Sequence, residues 1–173
     1  MIELANRLKT MEESATIAMS RKSRELKASG IDIISLSLGE PDFNTPEFIK
    51  DAAIQGMRDN YTKYTPVPGY EDLREAISRK FKRDNDLDYD TDQIVVSTGA
   101  KQSIANVVLS LVDEGDEVVI PAPYWVSYIE IVKMAGGIPV IVNAGIENDF
   151  KISGDQLKEA INEKTKMIIF SSP

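Results

Sequence analysis

Apolar positions recur at two spacings along this chain, and the second half alternates between them with regularity. Ile94-Val95-Val96-Ser97 is a short β-branched run that ends at Thr98-Gly99. From Gln102 to Val112 the apolar residues Ile104, Val107, Val108 and Leu111 fall three and four apart, which predicts a helix. Asp113-Glu114-Gly115-Asp116 breaks it. Glu117-Val118-Val119-Ile120 predicts a second strand, stopped by Pro121 and Pro123. Trp125 to Ala135 reads as helix, ended by Gly136-Gly137. Ile138 to Val142 predicts a third strand. Gly154-Asp155 leads into a helix through Ile161, and Met167-Ile168-Ile169-Phe170 predicts a fourth strand. The expected order is β-α-β-α-β-α-β with almost continuous apolar strands, the pattern of a parallel sheet covered on both faces.

The first half carries a different pattern. Ser14 to Ala28 predicts a helix stopped at Gly30, and Ile31 to Leu36 a short strand. Thr45-Pro46-Glu47 reads as a helix start, with Thr as cap, Pro at the first helical position and an acid in the first turn. That helix is expected to run to about Asn60. Gly69 to Arg83 predicts another. Its like-charge spacings, Glu71 with Glu75 and Arg79 with Arg83, imply a solvated face rather than one tuned by ion pairs.

Composition narrows the chemistry. The chain has 173 residues, with 42% hydrophobic and 28% charged, an ordinary globular balance. The formal charge of −8 argues against a nucleic-acid or anionic-membrane surface, because phosphate contacts need clustered cations. With no Cys and no His, disulfides, thiolate metal sites, Ser-His-Asp triads and imidazole acid–base work are excluded within these residues. Catalysis would fall to Lys, Tyr, carboxylates or a cofactor. No apolar run reaches the ~18–20 residues of a membrane span, and charges near the start leave no signal-peptide core. A cytoplasmic location is expected, so Asn60-Tyr61-Thr62 reads as a chance sequon. The chain stops at Ser171-Ser172-Pro173, on the strand edge where open α/β sheets bind ligands. The expectation is that it forms the N-terminal part of a longer protein.

Three motifs invite a functional reading. Asp86, Asp88, Asp90 and Asp92 alternate like the opening of a calcium loop, but Thr91 stands at the glycine position and Ser97 at the closing acid, so no metal is expected. Ser97-Thr98-Gly99-Ala100-Lys101-Gln102 lies where the first parallel strand turns into a helix. Gly99 permits close backbone approach, and the amides of Ala100 and Lys101 point outward with the helix dipole behind them, which makes a phosphate seat. A glycine kept for turn geometry alone is the competing reading. Trp125, the single Trp, follows Pro121-Ala122-Pro123-Tyr124 on the same carboxyl edge as Gly99. It is placed either to stack on a flat heteroaromatic ring or to anchor a helix start.

Several motifs together carry a resemblance. Ser37-Leu38-Gly39-Glu40-Pro41-Asp42-Phe43, Lys63-Tyr64-Thr65-Pro66-Val67-Pro68-Gly69 with Leu73-Arg74-Glu75-Ala76-Ile77, Thr98-Gly99-Ala100-Lys101-Gln102 and Pro123-Tyr124-Trp125-Val126-Ser127-Tyr128 resemble, in order, signatures of the class I and II aminotransferases. Ser171-Ser172-Pro173 resembles the start of that family's Ser-Pro-x-Asn-Pro-Thr-Gly motif. The bacterial-type aspartate aminotransferases of pyridoxal-phosphate fold type I are the most similar subgroup.

The resemblance implies a three-layer α/β/α large domain, incomplete in this chain, with residues 1–44 belonging to the small domain and 45–173 to the large one. It implies that the second predicted strand lies between the third and fourth, with the first set apart. It also implies pyridoxal 5'-phosphate as cofactor, its phosphate held at Gly99, Ala100 and Lys101 and its ring stacked on Trp125. Tyr64 would reach the phosphate of a neighbouring subunit's cofactor, so the active form would be a homodimer. Gly39 would approach the substrate α-carboxylate, Lys101 would pair with the side-chain carboxylate of acidic substrates, Thr16 would belong to a segment closing over it, and Trp125 would line the substrate pocket as well as the cofactor. The Schiff-base Lys, the Asp on the pyridine nitrogen and the Arg on the α-carboxylate are expected after Pro173, leaving no catalytic nucleophile in the chain itself. The implied substrates are aspartate or another dicarboxylic amino acid and 2-oxoglutarate. A β-lyase or synthase of the same fold is the first rival, and a non-catalytic binding or oligomerisation module the second.

Overall fold

The computed structural model describes residues 3–9 and 11–172. Met1, Ile2 and Pro173, which the readings of the two chain ends invoke, lie outside the described residues. The chain forms two compact units, one of residues 1–39 with 99–173 and the other of residues 40–98.

The first unit holds the sheet. It contains α1 (Asn6–Lys9), α2 (Ala15–Ala28), α5 (Ala100–Leu111), β1 (Glu117–Ala122), α6 (Ser127–Met134), β2 (Ile138–Asn143), α7 (Gly154–Ala160) and β3 (Thr165–Ile168). The strands are parallel in the order β2-β1-β3. The second predicted strand therefore lies between the third and fourth, as the resemblance implies. A right-handed crossover explains the layering. The chain moves from β1 to β2 and then back across β1 to β3, so α6 and α7 fall on opposite faces.

The centre of the sheet is dry. Val118, Val119 and Ile120 are fully buried, as expected of a central strand covered on both faces. Val118 and Ile120 pack with Val108 and Val112 of α5 and with Tyr128, Ile131 and Val132 of α6. Gly137 lies against this core, where a Cβ would come within 2.6 Å of Val112 Cγ1. The α7 helix has a reciprocal cap that periodicity does not reveal. Ser153 Oγ accepts from the Gln156 amide at 3.1 Å, while Gln156 Oε1 accepts from the Ser153 amide at 2.9 Å. Ser153→Ala should cost about 1 kcal/mol of helix stability. Hydrogen exchange is the check: the Gln156 amide should exchange about fivefold faster, and unchanged protection would deny the cap its role.

The second unit contains α3 (Glu47–Arg58), α4 (Glu71–Asn85) and a 3₁₀ turn at Thr91–Gln93. Arg74 clips this turn to α4: Nη1 donates to the Thr91 carbonyl at 2.6 Å and Nη2 pairs with Glu71. Gly69 has φ of +98°, and a Cβ there would lie 2.7 Å from Val96 Cγ2, so the close approach of this loop to Val96 requires glycine.

Four expectations need correction. Ile94–Ser97 is extended but joins no ladder; its Val96 amide donates to the Pro68 carbonyl at 3.0 Å. The sheet thus has three strands rather than four. Ile31–Leu36 also forms no strand, and Ile34 and Leu36 are 86% and 91% exposed. In both cases β-branched residues favour extension, but a strand needs a neighbour to take its backbone groups, and none is present among the described residues. At α3 the cap falls on Pro46 with Glu47 first in the helix, one residue later than Thr45 and Pro46 predict, and no side chain bonds to it. The charges of α4 are paired rather than merely solvated. Glu71 meets Arg74, and Glu75 meets Arg79 at 3.5 Å, because the like-charge i,i+4 rows are interleaved with opposite charges. Lys82 similarly lies 3.2 Å from Asp86 and 3.3 Å from Asp88, whose carboxylates hold its pKa above the usual lysine range.

Candidate active site: the Gly99 turn and Trp125

Gly99 caps α5 with φ of +89°, a conformation that L side chains rarely adopt. Its carbonyl accepts the first helical bonds, from the amides of Gln102 at 3.1 Å and Ser103 at 3.4 Å. The amides of Ala100 and Lys101 therefore precede the ladder, and no acceptor meets them among the described residues. Three further features favour an anion. No side chain caps the helix, its first turn holds no acid, and a Cβ built on Gly99 meets nothing within 4 Å. The helix dipole adds its positive end at the same place.

Trp125 stands beyond the carboxyl end of β1 and is 37% exposed. Its carbonyl accepts from the Tyr128 amide at 3.0 Å, so α6 starts at Ser127 rather than at Trp125 itself. The Lys101 ammonium lies 4.9 Å from the centroid of the Trp125 ring. That contact brings the turn and the aromatic residue together, a pairing that sequence reasoning about each alone does not contain. A phosphate at the two amides and a flat ring against the indole are chemically compatible with this arrangement.

Tyr128 is the residue that sequence reasoning passes over. Its ring meets Trp125 edge-on, with centroids 5.6 Å apart and planes at 89°. It is buried, and its hydroxyl lies 3.2 Å from Ser171 Oγ beyond the end of β3. The three-residue spacing from Trp125 and the mixed character of Tyr were the available signals.

The remaining expected residues lie elsewhere. Thr16 is half-buried near the start of α2, and Gly39 lies in exposed irregular chain. Neither shares a hydrogen bond, ion pair or ring contact with Lys101 or Trp125 among the described residues. Tyr64 belongs to the second unit and is fully exposed at 104%.

The family model for "Aminotransferase class I and II" matches residues 31–173. The aspartate aminotransferase of Bacillus sp. (strain YM-2) is 54% identical over 170 residues, covering 98% of this chain and 43% of that protein. A probable aspartate/prephenate aminotransferase of Rickettsia conorii is 51% identical over 170 residues, covering 98% of this chain and 42% of that protein. The solved structure of the Thermus thermophilus aspartate aminotransferase with maleate superposes with a TM-score of 0.93 at 40% identity, over 97% of this chain and 44% of that one. The chain thus spans less than half the length of the curated relatives it matches.

Proposed function

Because this chain belongs to the class I and II aminotransferases, a family of pyridoxal-phosphate enzymes, we propose that it is the N-terminal portion of an enzyme exchanging an amino group between aspartate, or a related dicarboxylic amino acid, and 2-oxoglutarate. Pyridoxal phosphate, when bound, supplies an electron sink for chemistry at the amino-acid α-carbon. The residues of this chain bind and orient. The amides of Ala100 and Lys101 take the phosphate at the Gly99 turn, and the Trp125 indole stacks on the ring. The Lys101 ammonium attracts the substrate's second carboxylate. Gly39 approaches the α-carboxylate through its backbone, and Thr16 contributes from the N-terminal side.

The observation that carries this reading is the 4.9 Å contact between Lys101 and Trp125. It joins a helix start, whose Ala100 and Lys101 amides meet no acceptor among the described residues, to an exposed aromatic ring in one place. The full exposure of Tyr64 suits a side chain whose target lies on another subunit, and the proposed assembly is a homodimer. The division into a small-domain segment, 1–44, and a large-domain part, 45–173, belongs to the same proposal, as does a cytoplasmic location. Among the described residues no helix is long and apolar enough to cross a membrane. The name of the Rickettsia relative favours a second acceptor, prephenate, beside 2-oxoglutarate.

The test is made on the complete protein that carries this chain. Aspartate and 2-oxoglutarate should yield oxaloacetate and glutamate, and failure with both acceptors would reject the assignment. Trp125→Ala should weaken cofactor retention and shift the cofactor's absorbance, because the stacked ring both holds and electronically tunes the pyridine. An unchanged spectrum and affinity would return Trp125 to a packing role.

A further inference from the structure

We infer that Trp125 is a positioning residue for Lys101: the face of the indole holds the Lys101 ammonium in place, so that the preference for a substrate with a second carboxylate depends on the ring as well as on the charge. This rests on the role proposed above for Lys101. A lysine ammonium is a compact charge on a flexible four-carbon stem, and fixing it for recognition gives up rotamer freedom. Lys101 is exposed, and no carboxylate of the chain is paired with it among the described residues. Its described neighbour is the Trp125 ring, 4.9 Å away, within the range where a cation is attracted by the ring quadrupole.

The ring has a buried aromatic neighbour of its own. Tyr128 meets it edge-on at 5.6 Å, is buried, and is tied by its hydroxyl to Ser171 at 3.2 Å. The ammonium therefore rests on an anchored surface, and part of its ordering is complete before any anion arrives. Preorganisation of this kind raises affinity by lowering what binding must immobilise.

The experiment is a double-mutant cycle on the cofactor-loaded complete protein, read as the equilibrium dissociation constant of maleate by calorimetry. Cofactor occupancy is matched by absorbance. The variants are K101A, W125L, their combination, and W125F. W125L should weaken maleate binding about two- to fivefold more when Lys101 is present than in the K101A background, the size expected of an exposed cation–π contact. W125F keeps a ring face and should recover part of that difference. If W125L costs the same factor in both backgrounds, or W125F shows no recovery, the ring acts independently of Lys101 and the inference is overturned. If K101A alone leaves maleate binding unchanged, the fault lies instead with the assigned role of Lys101, and the inference falls with it.

Discussion

Residues 1–173 produced alone should self-associate and should transfer no amino group from aspartate, even with pyridoxal phosphate added. The structure supplies the reason for the first part. The outer edge of β3 has no strand partner among the described residues; Ile168 at its end is 39% exposed and Phe170, just beyond it, 65%. Beside it lies a groove of about 420 Å³ lined by Ile104, Val107, Met167 and Ile169 among others. A bare apolar strand edge is a template for pairing with another chain. Against a typical total stability of about 5–15 kcal/mol, such surface is a serious liability. The second part rests on the expectation that the nucleophilic lysine lies after Pro173, for a chain that spans 43% of a relative such as the Bacillus enzyme. Sedimentation and an oxaloacetate assay decide the matter. A monodisperse monomer that transaminates would refute both parts.

In the complete protein, Lys101→Ala should lower kcat/KM for aspartate by about ten- to a hundredfold, and far less for an apolar amino acid. The estimate corresponds to the loss of one charge-assisted hydrogen bond, about 1.5–3 kcal/mol. The alternative role for Lys101, support of the cofactor phosphate, would lower both substrates alike. Paired kinetics on aspartate and an apolar substrate therefore separate the two, and equal losses would remove Lys101 from the side-chain pocket.

The parts of this molecule legible beforehand are those whose cause is local. Apolar residues at Ile104, Val107, Val108 and Leu111 recur at helical spacing, and α5 spans Ala100–Leu111 accordingly. Gly30 and Gly136 end α2 and α6 in the left-handed region, which a glycine reaches at little steric cost. The same local logic located the Gly99 turn at the head of α5. The strand order β2-β1-β3 was legible by another route, through resemblance rather than through any residue pattern.

What the tertiary structure decided concerns partners distant in the chain. Ile94–Ser97 has the composition of a strand yet joins no ladder, because strand formation is a property of a pair and no strand lies beside it among the described residues. Ile31–Leu36 fails for the same reason. The approach of Lys101 to Trp125, across 24 residues of sequence, and the tie from Tyr128 to Ser171 depend on how α5, β1 and β3 pack. The sequence by itself determined which residues sit at the carboxyl edge of the sheet and what each is chemically able to do. Packing of those elements determined which of them meet, since a contact energy exists only where two side chains are brought within reach.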